Sequence, residues 1–185
     1  MMMMIDRYTG SLTARFFLST PTALVITALF FSASSLSSGI AVLNFELADL
    51  TQVDNNTEEV IRTASLAPML RKALNGEHGY DTVQIPLDAY ENANQGFGYL
   101  FEHADSAAEL GESLGADWIV ITRLHKPSFL FSYLIVQVVN VKSKLAYPEL
   151  IVEIKGQQSE LNQRGIKKLA EKIHSQIKRL LRTTP

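Results

Sequence analysis

The run GADWIVITRLHKPSFLFSYLIVQVVNV, residues 115–141, constrains the fold more than any other part of the chain. It is the longest apolar stretch outside the amino terminus, and its β-branched and aromatic residues favour strands. Lys126-Pro127-Ser128 interrupts it, and proline has no N–H to give a central ladder. The run therefore reads as two neighbouring strands, 118–124 and 129–141, with a bulge or turn between them. From Tyr133 to Val141 nearly every side chain is apolar apart from Gln137 and Asn140, so both faces of that strand should be at least partly covered.

The flanking segments supply candidate layers. Residues 40–47, IAVLNFEL, read as a first strand and 48–56 as a polar loop. Asn56 with Glu59 resembles a capping box opening a helix that carries Val60, Ala64, Ala67, Leu70 and Leu74 at helical spacing. Pro68 should kink or restart that helix, and Gly76 is a plausible stop. Residues 80–85 form a second strand ended by Pro86, and 88–94 a helical turn. Gly96-Phe97-Gly98-Tyr99-Leu100-Phe101 reads as an aromatic loop, its rings expected to reach the core before a partner. Ser106 with Glu109 is a second capping-box pattern, rivalled by Asp105, for a short helix over 107–114. After 115–141 a turn at Lys142-Ser143-Lys144 leads to a last strand, 145–155, whose alternation and Pro148 suit a half-exposed edge. Residues 160–182 form the clearest helix. Leu161, Ile166, Leu169, Ile173, Ile177 and Leu180 make one apolar stripe opposite a lysine- and arginine-rich face.

The expected architecture is thus α/β (α+β): a mixed sheet of about five strands with helices packed on it, in the order β-α-β-α-β-β-β-α. Strands joined through helices should be parallel and the last three an antiparallel meander. At 185 residues one domain can bury a real core without staples.

The amino terminus has the order of an export signal. Arg7 and Arg15 precede an uncharged run, 16–33, followed by small residues. Residues 1–38 are expected to be a signal peptide or, if uncleaved, an inner-membrane anchor, and 39–185 the domain. Either way the domain is exported, with a periplasmic location expected. Cysteine is absent, which removes disulfides, thiolate nucleophiles, sulfur-bound metals and a lipid-bearing amino-terminal Cys together. A net charge of −2 gives no reason to invoke nucleic acid.

Two motifs carry a resemblance. I-A-V-L-x-F early and A-x-x-L-G-A-D-x-[IV]-[IV] late, within residues 40–124, are similar to the amino-terminal domain of TolB, the curli-secretion lipoprotein and lipoprotein activators of cell-wall synthases. The stretch LFEHADSAAELGESLGADWIVITRLHKPSFLFSYLIVQVVNV, then VEIKGQ and a terminal amphipathic helix, resembles a family of short exported bacterial proteins known as a domain of unknown function. Some relatives are associated with periplasmic quinoprotein alcohol-oxidation systems. The resemblance implies a TolB amino-terminal-domain-like fold and binding to proteins instead of catalysis.

Catalytic signatures are missing from the sequence: there is no Walker loop, G-x-G-x-x-G, H-E-x-x-H or G-x-S-x-G. His78 could meet Asp81, and His103 could meet Asp105 or His125, but none has ligand spacing, so no metal and no cofactor are expected. Asp117 reads as a helix-to-strand turn residue. The candidate contact surface combines the aromatic segment Phe97, Tyr99, Phe101 and His103 with Arg123, His125, Lys126, Phe129 and Phe131. The expectation is a non-enzymatic periplasmic accessory or adaptor protein, acting through contacts with an envelope protein or a periplasmic oxidative system. The alternative is a small-ligand-binding protein with a pocket lined by these aromatics.

Overall fold

A computed structural model describes residues 37–51, 57–156 and 159–183. The leader and the proposed Asn56 cap lie outside these residues. The order is β1 (Gly39–Val42), β2 (Glu46–Asp49), α1 (Thr57–His78), β3 (Asp81–Val83), α2 (Leu87–Ala93), α3 (Tyr99–Glu102), α4 (Ala104–Ser113), β4 (Trp118–Lys126), β5 (Phe131–Asn140), β6 (Leu145–Ala146), β7 (Leu150–Lys155) and α5 (Ser159–Thr183).

The seven strands form one mixed sheet. β1 runs parallel to β3 on one side and to β4 on the other. β2 continues beyond β1 as a second parallel partner of β4. β5 is antiparallel to β4, and both β6 and β7 pair antiparallel with β5. Five lanes of strand therefore contain seven segments, because two expected strands are each broken. The first breaks at 43–45, where Asn44 turns out to solvent. The last breaks at Tyr147–Glu149, where Pro148 cannot donate to the ladder. The segment 48–49, expected as loop, belongs to β2.

Alternation along the strands divides the core in two. Ile40, Val42, Trp118, Val120, Leu124, Leu134, Val136 and Val138 face α1 and α5, meeting Leu66, Leu70, Leu74 and the stripe Ile166, Leu169, Ile173, Ile177. Ala41, Leu43, Ile119, Ile121, Val139 and Val141 face the other way, toward Leu100, Ala107, Ala108 and Leu110. The continuous apolar composition of β4 follows from this double coverage.

Three helix boundaries differ from expectation. α1 runs unbroken through Pro68 and Gly76. Pro68 lies on the exposed side of α1, where water can satisfy the carbonyl that loses its partner. The stop is Gly79, whose φ of 72° suits a residue without a Cβ. Gly98, at φ 79°, opens α3, so Tyr99–Glu102 is a helical turn and not a loop. α4 starts after His103 with no side-chain cap, so neither Asp105 nor Ser106 caps it.

Candidate functional site

The helices α2–α4 cover only part of their face of the sheet. Ile121 belongs to the covered part, and strand alternation puts Arg123 and His125 on the same face, further along β4. The register extends that face sideways. Arg123 lies opposite Ile135 and Ile135 opposite Ile151; His125 lies opposite Tyr133 and Tyr133 opposite Glu153; Phe131 lies opposite Lys155. Arg123, His125, Tyr133 and Ile135 are half-buried, while Phe131, Ile151, Glu153 and Lys155 are exposed. The result is a mixed apolar and charged sheet surface that, beyond Arg123, has no helix over it among the described residues.

Arg123 ties this surface to the aromatic turn. Its guanidinium lies 4.7 Å from the ring centroid of Phe97 and 4.3 Å from that of Phe101. NH2 and Nε both donate to Glu46 Oε2, at 2.7 and 3.2 Å. The other carboxylate oxygen, Oε1, accepts the Gly98 N–H at 2.8 Å. A Cβ on Gly98 would sit 3.1 Å from Arg123 NH2, so glycine is needed here for both space and dihedral. Planar stacking together with a forked carboxylate contact is a task for arginine and not lysine. The arrangement leaves Phe97 65% exposed, a fixed apolar knob at the border of the open face. Two segments singled out separately in the sequence, 97–101 and 123–131, are thereby brought together.

The other candidates divide. Tyr99 stacks on His103 at 4.1 Å and its hydroxyl reaches Ser106 and Gln95, so it braces α3 against α4. Phe101 is half-buried against the second core. Phe129 and Leu130 are 59% and 70% exposed on the β4–β5 turn. Ser128 Oγ accepts the N–H groups of Leu130 and Phe131 and orders that turn.

Lys126 does not belong to a surface cluster. It is the last residue of β4 and only 1% exposed, on the α1/α5 side of the sheet. Its Nζ donates to Glu59 Oε2 at 2.8 Å and lies 3.4 Å from Asp49 Oδ2. Glu59 Oε1 accepts from Arg62 NH1 at 2.7 Å. Arg62 then donates to Asn162 Oδ1 and to Ser132 Oγ. The cluster joins β2, α1, β4, β5 and α5. Asp49 sits below its ordinary carboxylate pKa: burial alone would raise it, but two hydrogen bonds from Thr51 and the Lys126 ammonium outweigh that. Burial of charge is tolerated here because each charge has a partner of opposite sign. Nothing in local sequence signals this cluster, since its members come from distant segments.

The histidines pair differently from expectation. His78 stacks on His174 at 4.6 Å, and Tyr80 Oη lies 3.2 Å from His174 Nδ1. His103 Nδ1 contacts the Tyr99 carbonyl oxygen, and His125 lies beside Tyr133. Among the described residues no group of three or more His, Asp or Glu is placed to hold a metal ion. Asp117 Oδ2 accepts the Gly39 N–H, as a turn residue would. Among the described residues no helix is long and apolar enough to cross a membrane.

With this geometry in place, the chain can be set beside known proteins. The model of the DUF3280 family, "Protein of unknown function (DUF2380)", matches residues 38–173. The chain belongs to this family. No curated protein matches it. Among solved structures, it is similar to LpoB of E. coli at 12% identity, covering 83% of this chain and 81% of that one, with a TM-score of 0.48. It is similar to the PelC dodecamer protein of Paraburkholderia phytofirmans at 12% identity, covering 72% and 84%, with a TM-score of 0.48. TolB of Acinetobacter baumannii is similar at 14% identity over 78% of this chain and 28% of that chain, with a TM-score of 0.44.

Proposed function

We propose that this DUF3280 member works by contact and not by catalysis, as an exported accessory or adaptor protein of an envelope or periplasmic oxidative system. The export component is supported by the leader-like run 16–33 behind Arg7 and Arg15. The contact component is supported by one observation above others: beyond Arg123 the sheet face has no helix over it among the described residues, and it carries exposed Phe131 and Ile151 with exposed Phe97 at its border. Apolar side chains grouped on a flat surface mark interaction sites more often than chance exposure does. The partner is a protein presenting its own apolar patch, with an acidic or amide group to meet Lys155 and His125 at the border.

Phe131 and Ile151 have backbones fixed in the ladder, and Phe97 is fixed by Arg123, so little side-chain freedom remains to be lost on binding. Burying three such side chains at an interface centre can contribute about 3 kcal/mol or more, roughly a hundredfold in affinity. The test compares the wild-type protein with a Phe97→Ala/Phe131→Ala/Ile151→Ala variant as baits in a periplasmic extract. The proposal expects a partner protein retained by the wild type and released by the variant, with the thermal transition of the variant nearly unchanged. Tyr99 is left intact because it braces α3 against α4. Equal retention by both baits would count against this face.

A further inference from the structure

A second feature lies at the carboxyl ends of β1 and β3. These strands are adjacent and parallel. After β1 the chain turns at Asn44 and continues as β2 before reaching α1, which packs in the first core; after β3 it leads to α2, whose Ala89 and Tyr90 pack on the second. Ligands in open α/β sheets sit outside the carboxyl ends of the strands. A crevice is present there, with a volume of about 150 Å3. Leu43 and Asn44 enter it from the end of β1, Gln84, Ile85 and Leu87 from the end of β3. Arg71 of α1 and Tyr90 of α2 close its two sides.

Arg71 is the informative residue. Its Nε and NH2 donate to the Val42 carbonyl at 3.1 and 2.6 Å, and NH2 donates to Asn44 Oδ1 at 3.0 Å. All these acceptors are neutral. The other arginines buried to a comparable degree, Arg62 and Arg123, each hold a carboxylate, whereas no salt bridge to Arg71 exists among the described residues. Burial lowers its pKa, and no neighbouring charge offsets this. A guanidinium set in place by the Val42 carbonyl and the Asn44 side-chain oxygen, with no salt-bridge partner among the described residues, is arranged to receive an anion. Tyr90 adds a phenol that accepts from Asn94 Nδ2 at 2.8 Å. Its pKa is raised, by burial first and by Glu46 second, so it remains a neutral O–H donor.

We propose that this crevice binds a small carboxylate with a short apolar tail, the carboxylate on Arg71 with Tyr90 as second donor and the tail against Leu43, Ile85 and Leu87. A cavity of this volume admits a molecule about the size of benzene. Leu43, Ile85 and Leu87 offer apolar contact to a short hydrocarbon tail that inorganic phosphate lacks.

The experiment follows backbone and side-chain amide NMR signals of the full domain while butyrate, 1-butanol or inorganic phosphate is added to about 50 mM, a range suited to millimolar binding. The proposal expects saturable shifts with butyrate at Asn44, Gln84 and Tyr90, and none with butanol. Two variants divide charge from folding. Arg71→Met removes the cation and keeps the alkyl stem. Leu87→Glu, at a position 70% exposed, adds a repelling charge at the mouth without touching the core. Both should weaken butyrate by at least about tenfold. Saturation with phosphate tighter than with butyrate overturns the choice of ligand. Absence of saturable butyrate shifts, or equal binding by wild type and Leu87→Glu, overturns the site.

Discussion

Replacing Lys126 with methionine tests the buried polar cluster directly. Methionine matches the length of the lysine stem, so little cavity forms and packing is close to constant. What is removed is the ammonium, 2.8 Å from Glu59 Oε2 and 3.4 Å from Asp49 Oδ2. Breaking a buried ion pair by removing one member costs about 3–5 kcal/mol, because the remaining charge loses its compensation. Glu59 keeps Arg62 at 2.7 Å, which places the expected loss near the low end, about 3 kcal/mol. For a domain of this size each kcal/mol shifts Tm by about 2–4 °C, so a fall of roughly 6–12 °C is expected. Urea unfolding followed by circular dichroism provides the stability. The double variant Lys126→Met/Glu59→Gln should lose at least about 1 kcal/mol less than the sum of the single losses, because the second change removes the stranded charge. A loss below about 1 kcal/mol for Lys126→Met, with additivity in the double variant, would mean that the ammonium reaches water and the cluster does not organise the domain.

Two glycines in helices should respond with opposite signs. A Cβ on Gly111 of α4 would meet Val141 Cγ2 at 2.6 Å, so Gly111→Ala should destabilise by about 1–3 kcal/mol despite the better helix propensity of alanine. Gly76 of α1 has nothing within 4 Å of a built Cβ, and Gly76→Ala should stabilise by about 0.5–1 kcal/mol; paired urea titrations check both. His174 predicts a pH effect. Its pKa lies below the ordinary 6.5, through burial first and then through His78 and Lys178. The unfolded chain therefore takes up a proton at higher pH than the native state does. This contribution to stability is fully present above pH 6.5 and is lost as pH falls through the lower native value. The urea midpoint should decline between pH 7.5 and 5, and His174→Phe, which keeps the stack on His78, should flatten that decline; an unchanged slope would refute the assignment.

The parts of the fold set by periodicity were legible in the sequence. β4 and β5 were marked by apolar runs, covered on both faces over 118–121 and 138–139, and the Leu161–Leu180 stripe is the buried side of α5. The parallel and antiparallel pairings followed from whether a helix or a turn joined the strands. Pro68 misled because its effect depends on which side of α1 faces water, and a one-dimensional pattern does not carry that. Lys126 misled more seriously. A lysine beside a proline at a strand end resembles a solvated residue, and its burial is created by Glu59 and Asp49 from remote segments. Glu59 itself was legible only as a capping residue. The open face was half legible: Phe131 and the aromatic turn stood out by composition, but their meeting at Arg123 depends on Glu46 in a strand that the sequence blended with β1. The Arg71 crevice carried no local signal, because it is made by the divergence of two chain paths.

The central claim is that the sheet face beside Arg123, left uncovered by the described helices, is a docking surface, and photocrosslinking at single positions in living cells tests it most directly. A photoreactive residue in place of Ile151 or of Phe131 lies on that face, and one in place of Lys72 lies on exposed α1, on the other side of the sheet. The account predicts that positions 151 and 131 give a covalent adduct with the same protein while position 72 does not. Adducts formed equally from all three positions, or from position 72 alone, would contradict it.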